Sequence, residues 1–314
     1  MKTATPVDPA GILADPGLAT GGREWLAARL QSYTVLTKLR LVTMVLVTVA
    51  AGFMLGAKTV GRVSGLPLLA ALVGTGMVAA GASAWNQYLE RDRDALMRRT
   101  AKRPLPAGKI APLEAAALGT ALALAGLAIL VLATRQPAAW LALLTFVLYV
   151  FAYTPLKPIT TLNTAIGAIP GALPPVIGWA AATGRVGIEA WALFFIVFLW
   201  QFPHFLAIAW IHRADYARGG HLMLPNVDPE GKITGRQAMA HALALVPASL
   251  LPCTVGMAGP WYFAGAFGLG LYYLTQATRF WMDVNDASAR RLLYTSFLYL
   301  PAILLLLLLN PSPA

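Results

Sequence analysis

The sequence predicts an all-α, polytopic membrane protein, with nine transmembrane helices read from its apolar segments. Three observations carry that reading. Of 314 residues 58% are hydrophobic, only 12% are charged, and the mean hydropathy is +0.65. The apolar residues come in runs near the ~20 needed to cross a bilayer core, separated by short polar loops. The basic residues are sorted to alternate loops, as orientation in a membrane requires. Two soluble domains, the default for this length, cannot absorb so much apolar sequence.

The segments follow in order. Residues 41–57 form a short first span, and 66–86 a second that ends on AAGASAW (79–85) before the chain turns polar. Residues 112–133 and 138–154 are the third and fourth, the latter again short. The fifth, 162–182, contains IPGALPPVIGW (169–179). Such Pro and Gly content breaks a soluble helix, but is tolerated in a membrane where neighbours or cavity water satisfy the freed backbone groups, which makes this segment a candidate pocket wall. The sixth, 188–211, carries a histidine in WQFPHFLA (200–207). Residues 237–257, 260–278 and 292–309 complete the set. The single cysteine, Cys253, lies in the seventh segment; it allows no internal disulfide and no cysteine metal cluster. Residues 1–30 lack an apolar core of a signal peptide and are Gly/Pro/Ala-rich, so they are expected to form a disordered arm ahead of one membrane domain, 31–314.

Threaded through nine spans, all but four of the 24 lysines and arginines fall on one side; the exceptions are Lys58, Arg62, Arg135 and Arg185. The positive-inside rule then places the N-terminus and the large loops in the cytoplasm and the C-terminus outside. The net charge of +11 is therefore membrane topology. No basic stripe is interleaved with base-stacking aromatics, which excludes a nucleic-acid partner.

Chemistry concentrates where the second span leaves the membrane, in NQYLERDRDALMRRTAKRPLP (86–106). Asn86, Glu90 and Asp94 are four apart, so they share one helix face. Carboxylates are expensive near a bilayer, and oxygen ligands in this pattern suit Mg²⁺ on a substrate phosphate. Asn86 to Asp94 spans about 12 Å of helix, so either two ions bind or some ligands act through water. Asp92 falls off the stripe and reads as a solvated loop residue; Arg93 lies near it, to neutralise the acids or to meet phosphate. A second constellation, HRADYARGGHLMLP (212–225), offers Asp215, with Arg213 or Arg218 as ordinary partners. The two loops together could clamp one polyanion. Arg99, Arg103, Lys157 and Arg213 are the candidate diphosphate-binding cations. His204, inside the sixth span, is either a metal or haem-iron ligand or a histidine bonded to a neighbouring helix; Tyr153 and Trp200 read mostly as bilayer or core packing, and become candidate haem contacts only on the resemblance given next. His212, His221 and His241 read as surface or interface residues.

At these residues the chain resembles the protohaem IX farnesyltransferase (haem O synthase) family of membrane aromatic prenyltransferases. The resemblance runs from LTKLR (36–40) to YLPAILLLLLL (299–309). Its most specific part is N-x3-E-x3-D-x2-M-x-R-T-x2-R-P, met by Asn86, Glu90, Asp94, Met97, Arg99, Thr100, Arg103 and Pro104, and it continues through YTPLK (153–157), GALPPVIGWAAATG (171–184), WQFPHF (200–205) and DY-x2-G with MLP (215–225). Glu90, in place of an Asp-rich motif, and Gly219, in place of a second DxxxD acid, favour the haem branch over relatives that prenylate quinone precursors. Leu39 stands where the family usually has Pro, and Pro158 where a basic residue usually follows the lysine. The resemblance implies nine helices around a central cavity in the cell inner membrane. It implies an Mg²⁺-dependent reaction of farnesyl diphosphate, haem B and water to haem O and diphosphate. Asn86, Glu90, Asp94 and Asp215 would be the metal ligands, and haem A synthase or terminal-oxidase assembly factors the partners. The competing readings are transfer of a longer prenyl chain to a quinone precursor and, from another class, a transporter. Against the transporter, the acids cluster on one side and no inverted repeat is evident.

Overall fold

The computed structural model describes residues 22–310. The chain is helical from its first described residue: α1 (Gly22–Leu36) is followed by the long helices α2 (Leu39–Thr59), α3 (Gly65–Leu96) and α4 (Pro112–Ala133). α5 (Gln136–Val147) runs on through a π-helical turn, Leu148–Tyr153, into the short α6 (Thr154–Leu156). α7 (Asn163–Thr183) and α8 (Ile188–Ile211) come next, then the loop helices α9 (Arg213–Arg218) and α10 (Leu224–Val227). α11 (Lys232–Ala248), α12 (Leu251–Thr254), α13 (Pro260–Met282) and α14 (Asp286–Leu309) complete the described chain.

Every apolar segment read from the sequence is helical. Among the described residues seven helices are long and apolar enough to cross a membrane: α2, α3, α4, α5 with its π-turn and α6, α7, α8 and α14. The other two expected spans differ for separate reasons. α11 has only 17 residues, Pro247 included, before the turn at Ser249 separates it from the short α12. α13 has 23, but its glycines, tyrosines and Gln276 dilute the hydropathy. The start of α1 also falls inside the stretch 1–30 expected to be disordered; residues 1–21 lie outside the described residues. α1 is held by its C-terminal end, where Gln87 Nε2 donates to Val35 O (3.0 Å) and Leu36 O (2.7 Å).

Two packed lobes share α7 and α2. One core joins α2, α3, α4, α5 and α7 through Val49, Phe53, Val78, Leu130 and Ile177. The other joins α7, α8, α11, α13 and α14 through Trp179, Leu193, Tyr262, Tyr273 and Tyr299. The three prolines of α7 leave it continuous, and α7 and α8 are the most enclosed of the spans. The outer faces carry leucines and aromatics such as Leu113, Leu132 and Trp261, which suit lipid. Helix contacts use small residues, as expected where apolar burial gives little drive between helices already in lipid. A Cβ on Gly52 would overlap Pro175 O, and one on Gly178 would overlap Val49 O, so α2 and α7 touch backbone to backbone.

The bundle therefore has two distinct ends. At one lie the α2–α3 and α7–α8 turns, with Lys58 Nζ donating to Leu308 O. At the other, α1 and the 97–111, 157–162 and 212–231 loops interlock. Gly178→Leu is expected to lower the thermal midpoint in detergent, the overpacking costing about 1–3 kcal/mol or more. Gly268→Ala, where an added Cβ meets nothing within 4 Å, is expected to leave it unchanged or slightly raised. Equal responses would contradict the close-contact account.

Candidate active site

α3 extends beyond the apolar part of its span, and its last turns carry Asn86, Glu90 and Asp94 on one inward stripe, 0%, 5% and 1% exposed. Buried carboxylates survive only with partners, and each of the three residues has one from a different element. Asn86 Oδ1 accepts from Lys38 Nζ at 2.7 Å, and its Nδ2 donates to Thr154 Oγ1 at 3.1 Å. Glu90 Oε1 lies 2.6 Å from Lys157 Nζ, a charge contact outside aligned hydrogen-bond geometry. Asp94 Oδ2 accepts from Arg103 Nη1 at 2.6 Å. Asp94 Oδ1 and Gln87 Oε1 are buried without any partner, so acceptor capacity remains for a ligand.

Local backbone chemistry sets these positions. The π-helical turn takes in Tyr149 and Tyr153, and Thr154 Oγ1 donates five residues back to Tyr149 O (2.8 Å). This extra residue per turn brings Thr154 and Lys157 to face α3; such π-turns are frequent at functional sites. Lys157 Nζ also sits 4.5 Å from the Tyr153 ring. Burial alone would lower the Lys157 ammonium, but Glu90 and the neighbouring tyrosines hold it above its ordinary value. Lys38 is the only non-glycine with positive φ among the described residues (φ 49°, ψ 48°), a conformation costing about 1–2 kcal/mol. Leu39 matters here, because a proline at that position would push residue 38 toward extended backbone. Burial, with Arg103 and Lys157 nearby, pulls the Lys38 ammonium down to about 7 against the opposing pull of Glu90 and Asp94.

The second constellation closes over the first through backbone bonds. Asp215 accepts from the amides of Arg98 and Arg99, both at 3.3 Å, and pairs with Arg218. Arg218 and these amides hold its carboxyl below the usual range despite desolvation. Arg93 Nη1 donates to Gly219 O and Gly220 O at 3.1 Å each. Leu222 N donates to Lys157 O (2.7 Å), and Asn163 Nδ2 to Leu222 O (2.9 Å). The 97–103, 157–163 and 215–222 loops are thus one interlocked mouth.

Not every candidate arrives there. Asp215 braces the loop and does not stand beside Glu90 and Asp94: among the described residues no three Asp, Glu, His or Cys side chains converge as a ready metal cluster. Arg99 lies over the Tyr216 ring at 5.7 Å, at the rim. Arg213 is drawn away, donating to Trp210 O (2.6 Å) and Asp286 Oδ1 (2.8 Å). His204 packs between α8 and α14: its Nδ1 is 2.7 Å from Ser296 Oγ, and its ring stacks on Trp200, whose Nε1 donates to Ser296 O. Of the haem-contact candidates only Tyr153 borders the acidic stripe.

Two residues at the site escaped the sequence reading. Lys38 counted only as one more cytoplasmic cation; nothing in LTKLR announces its left-handed backbone. His221, expected at a surface or interface, is 4% exposed, because the positive-φ Gly220 (φ 65°) folds the chain back and tucks its ring beside Tyr216. Burial pushes this imidazole down to about 4.

Known proteins resemble the chain in sequence and in fold. The chain is 43% identical over 288 residues to a protoheme IX farnesyltransferase of Solibacter usitatus, covering 90% of this chain and 99% of that one. It is 37% identical over 298 residues to the human mitochondrial protoheme IX farnesyltransferase, covering 93% and 66%. A solved digeranylgeranylglyceryl phosphate synthase superposes with TM-score 0.76 at 17% identity, over 90% of this chain and 98% of the other. A UbiA homolog from Archaeoglobus fulgidus, bound to GPP and Mg²⁺, does so with TM-score 0.61 at 17% identity, over 88% and 99%. The family model for UbiA prenyltransferases matches residues 45–301, and the chain belongs to the UbiA prenyltransferase family.

Proposed function

We propose that this protein transfers the farnesyl group of farnesyl diphosphate to a vinyl group of haem B, with addition of water, giving haem O and diphosphate. The observation that carries the reading is the buried stripe of Asn86, Glu90 and Asp94, faced by Lys38, Lys157 and Arg103 at one end of an apolar bundle. That is a site for a polyanion whose tail belongs in lipid. The relatives' shared name as protoheme IX farnesyltransferases, over nine-tenths of this chain, supports farnesyl and haem as the two substrates.

The stripe fits Mg²⁺. Its donors are oxygens, Asp94 Oδ1 has no other partner, and Glu90 is held only by a charge contact. Asn86, Glu90 and Asp94 would hold the ion, with Asp215 acting through the loop it braces; the ion supplies charge neutralisation to the diphosphate. The chain's own cations do the rest. As the allylic C–O bond breaks, negative charge grows on the departing diphosphate, and fixed positive groups there lower the barrier. Lys157, Arg103 and Lys38, which neutralise the stripe without substrate, are placed to face that charge. Arg99 at the rim adds a fourth cation. The farnesyl tail of about 15 carbons gains roughly 0.8 kcal/mol per buried CH₂-sized group between apolar helices. The haem vinyl attacks the allylic cation and water ends the reaction.

In this reading residues 31–314 are one prenyltransferase domain of the cell inner membrane, with the site and N-terminus cytoplasmic and the C-terminus outside. Haem O would pass to a haem A synthase or to terminal-oxidase assembly factors. Transfer to a quinone precursor is separated by supplying 4-hydroxybenzoate in place of haem B.

Membranes supplied with haem B, farnesyl diphosphate and Mg²⁺ are expected to form haem O, read by mass spectrometry. Glu90→Gln and Asp94→Asn are each expected to slow it by about 100-fold or more, the scale of removing one charge-stabilising group; undiminished formation would remove these carboxylates from the mechanism. Lys38→Gly separates stability from function. Glycine relieves the left-handed strain but leaves Asn86 Oδ1 without its donor, so the two effects oppose and the thermal midpoint should move little, while haem O formation drops by about tenfold, the scale of one exchanged charge-assisted contact. A Lys38→Gly enzyme of normal activity would show the ammonium to be structural.

A further inference from the structure

A cavity of about 160 Å³ opens beside Glu90, walled by Arg93, Thr154, Pro155, Pro158 and His221. It holds several water molecules with ease. Two of its wall acceptors lack a hydrogen bond: Glu90 Oε1, which the Lys157 ammonium and the diphosphate site claim, and His221 Nδ1. Arg93 bonds Gly219 O and Gly220 O, Thr154 bonds Tyr149 O and Asn86, and Glu90 faces Lys157. His221 Nδ1 is buried and has no partner. The ring is nevertheless firmly placed. Its backbone N–H donates to Tyr216 O (2.9 Å), its edge meets the Tyr216 ring at 6.0 Å, and the next residue bonds Lys157 O.

The proposed reaction needs such a place. Farnesyl C1 leaves the diphosphate at the Glu90–Lys157 end, and the vinyl's terminal carbon bonds to C1. The cation then rests on the adjoining carbon, two bonds from C1. The water that captures it must stand close to the diphosphate, yet bulk water must be kept from the allylic cation. A small side cavity with an acceptor that the diphosphate site does not claim meets both demands.

We propose that this cavity holds the reactant water and that His221 accepts its proton. The assignment rests on the farnesyl-transfer reading. The water oxygen bonds to the cationic carbon while one of its O–H bonds breaks. That bonding pair stays on oxygen as the new hydroxyl, and the proton passes to the imidazole and on to solvent through the cavity mouth. Burial disfavours the charged form of the ring, and a protonated alcohol is a far stronger acid than an imidazolium. Without the acceptor, the cation instead sheds a proton from the neighbouring CH₂ and closes to an alkene, a haem adduct lighter by one water.

The test compares the ratio of dehydrated to hydroxylated haem adducts, by mass spectrometry, for membranes carrying the full-length protein with haem B and farnesyl diphosphate. His221→Phe keeps an aromatic ring and removes the acceptor, and should raise the ratio by at least about tenfold. That lies below the 10²–10⁴ of positioned acids and bases because other waters still compete. His221→Asn, which keeps an acceptor oxygen near Nδ1, should fall between wild type and Phe; His221→Leu gives the same comparison if the Phe protein does not accumulate. A wild-type ratio in the Phe or Leu protein, with haem B still consumed, would overturn the role of His221. No haem adduct from wild type would overturn the farnesyl-transfer reading and this assignment with it.

Discussion

The pairing of α3 with cations from three separate elements is the constraint on which the rest depends. Glu90 and Asp94 are nearly inaccessible to water, and an uncompensated buried charge is among the most costly things a fold can contain. Lys157 and Arg103 remove that cost, while Lys38 takes the amide oxygen of Asn86. To deliver these groups the chain accepts a π-helical turn before Lys157 and a left-handed residue at Lys38. Irregular backbone of this kind persists where the surroundings over-determine it, and it gathers where function needs it. The apolar bundle then serves as a scaffold, its glycine contacts fixing α2 against α7 and so the distance from Lys38 to α3.

Much of this was legible in the sequence, and the boundary has physical causes. Hydrophobic runs must be buried or lipid-facing wherever they lie, so every apolar segment became helical, the one at 237–257 in two pieces. The four-residue spacing of Asn86, Glu90 and Asp94 is a local property of one helix, and it survived folding intact. Whatever depended on contacts between distant segments did not show. Arg213 stands next to the second motif in sequence, but Asp286 on α14 draws it off. Asp215 reads as a metal ligand, yet its oxygens meet the amides of Arg98 and Arg99. His204 is conspicuous as a membrane histidine, but Ser296 on another helix gives it a hydrogen-bonded place in the packing. Lys38 and His221 were inconspicuous because their roles arise from backbone turns: positive φ leaves no mark when lysine occupies it, and Gly220 marks a turn without saying where the next ring goes.

The same arrangement explains how one end of a membrane bundle could manage opposite solvation demands. An allylic cation must be kept dry, while a diphosphate is strongly hydrated and a water molecule must finally be admitted. The loops around Asp215, Gly220 and Leu222 are bonded to one another and to α3, which limits access from that end of the bundle. Around the small cavity beside Glu90, Pro155 and Pro158 add apolar rings, and Arg93 is tied to Gly219 O and Gly220 O. Charge is thus concentrated on the stripe and its partners.

The central claim is that Glu90 and Asp94 are held by lysine and arginine only until a metal diphosphate takes both partners. It is tested most directly by Mn²⁺ binding to the purified protein, followed by electron paramagnetic resonance with and without inorganic diphosphate. Because the cations already neutralise the carboxylates, Mn²⁺ alone should bind weakly. Diphosphate should tighten it by at least about tenfold, a coupling near 1.4 kcal/mol, and Glu90→Gln should abolish the gain. Mn²⁺ affinity that ignores both diphosphate and Glu90 would contradict the account.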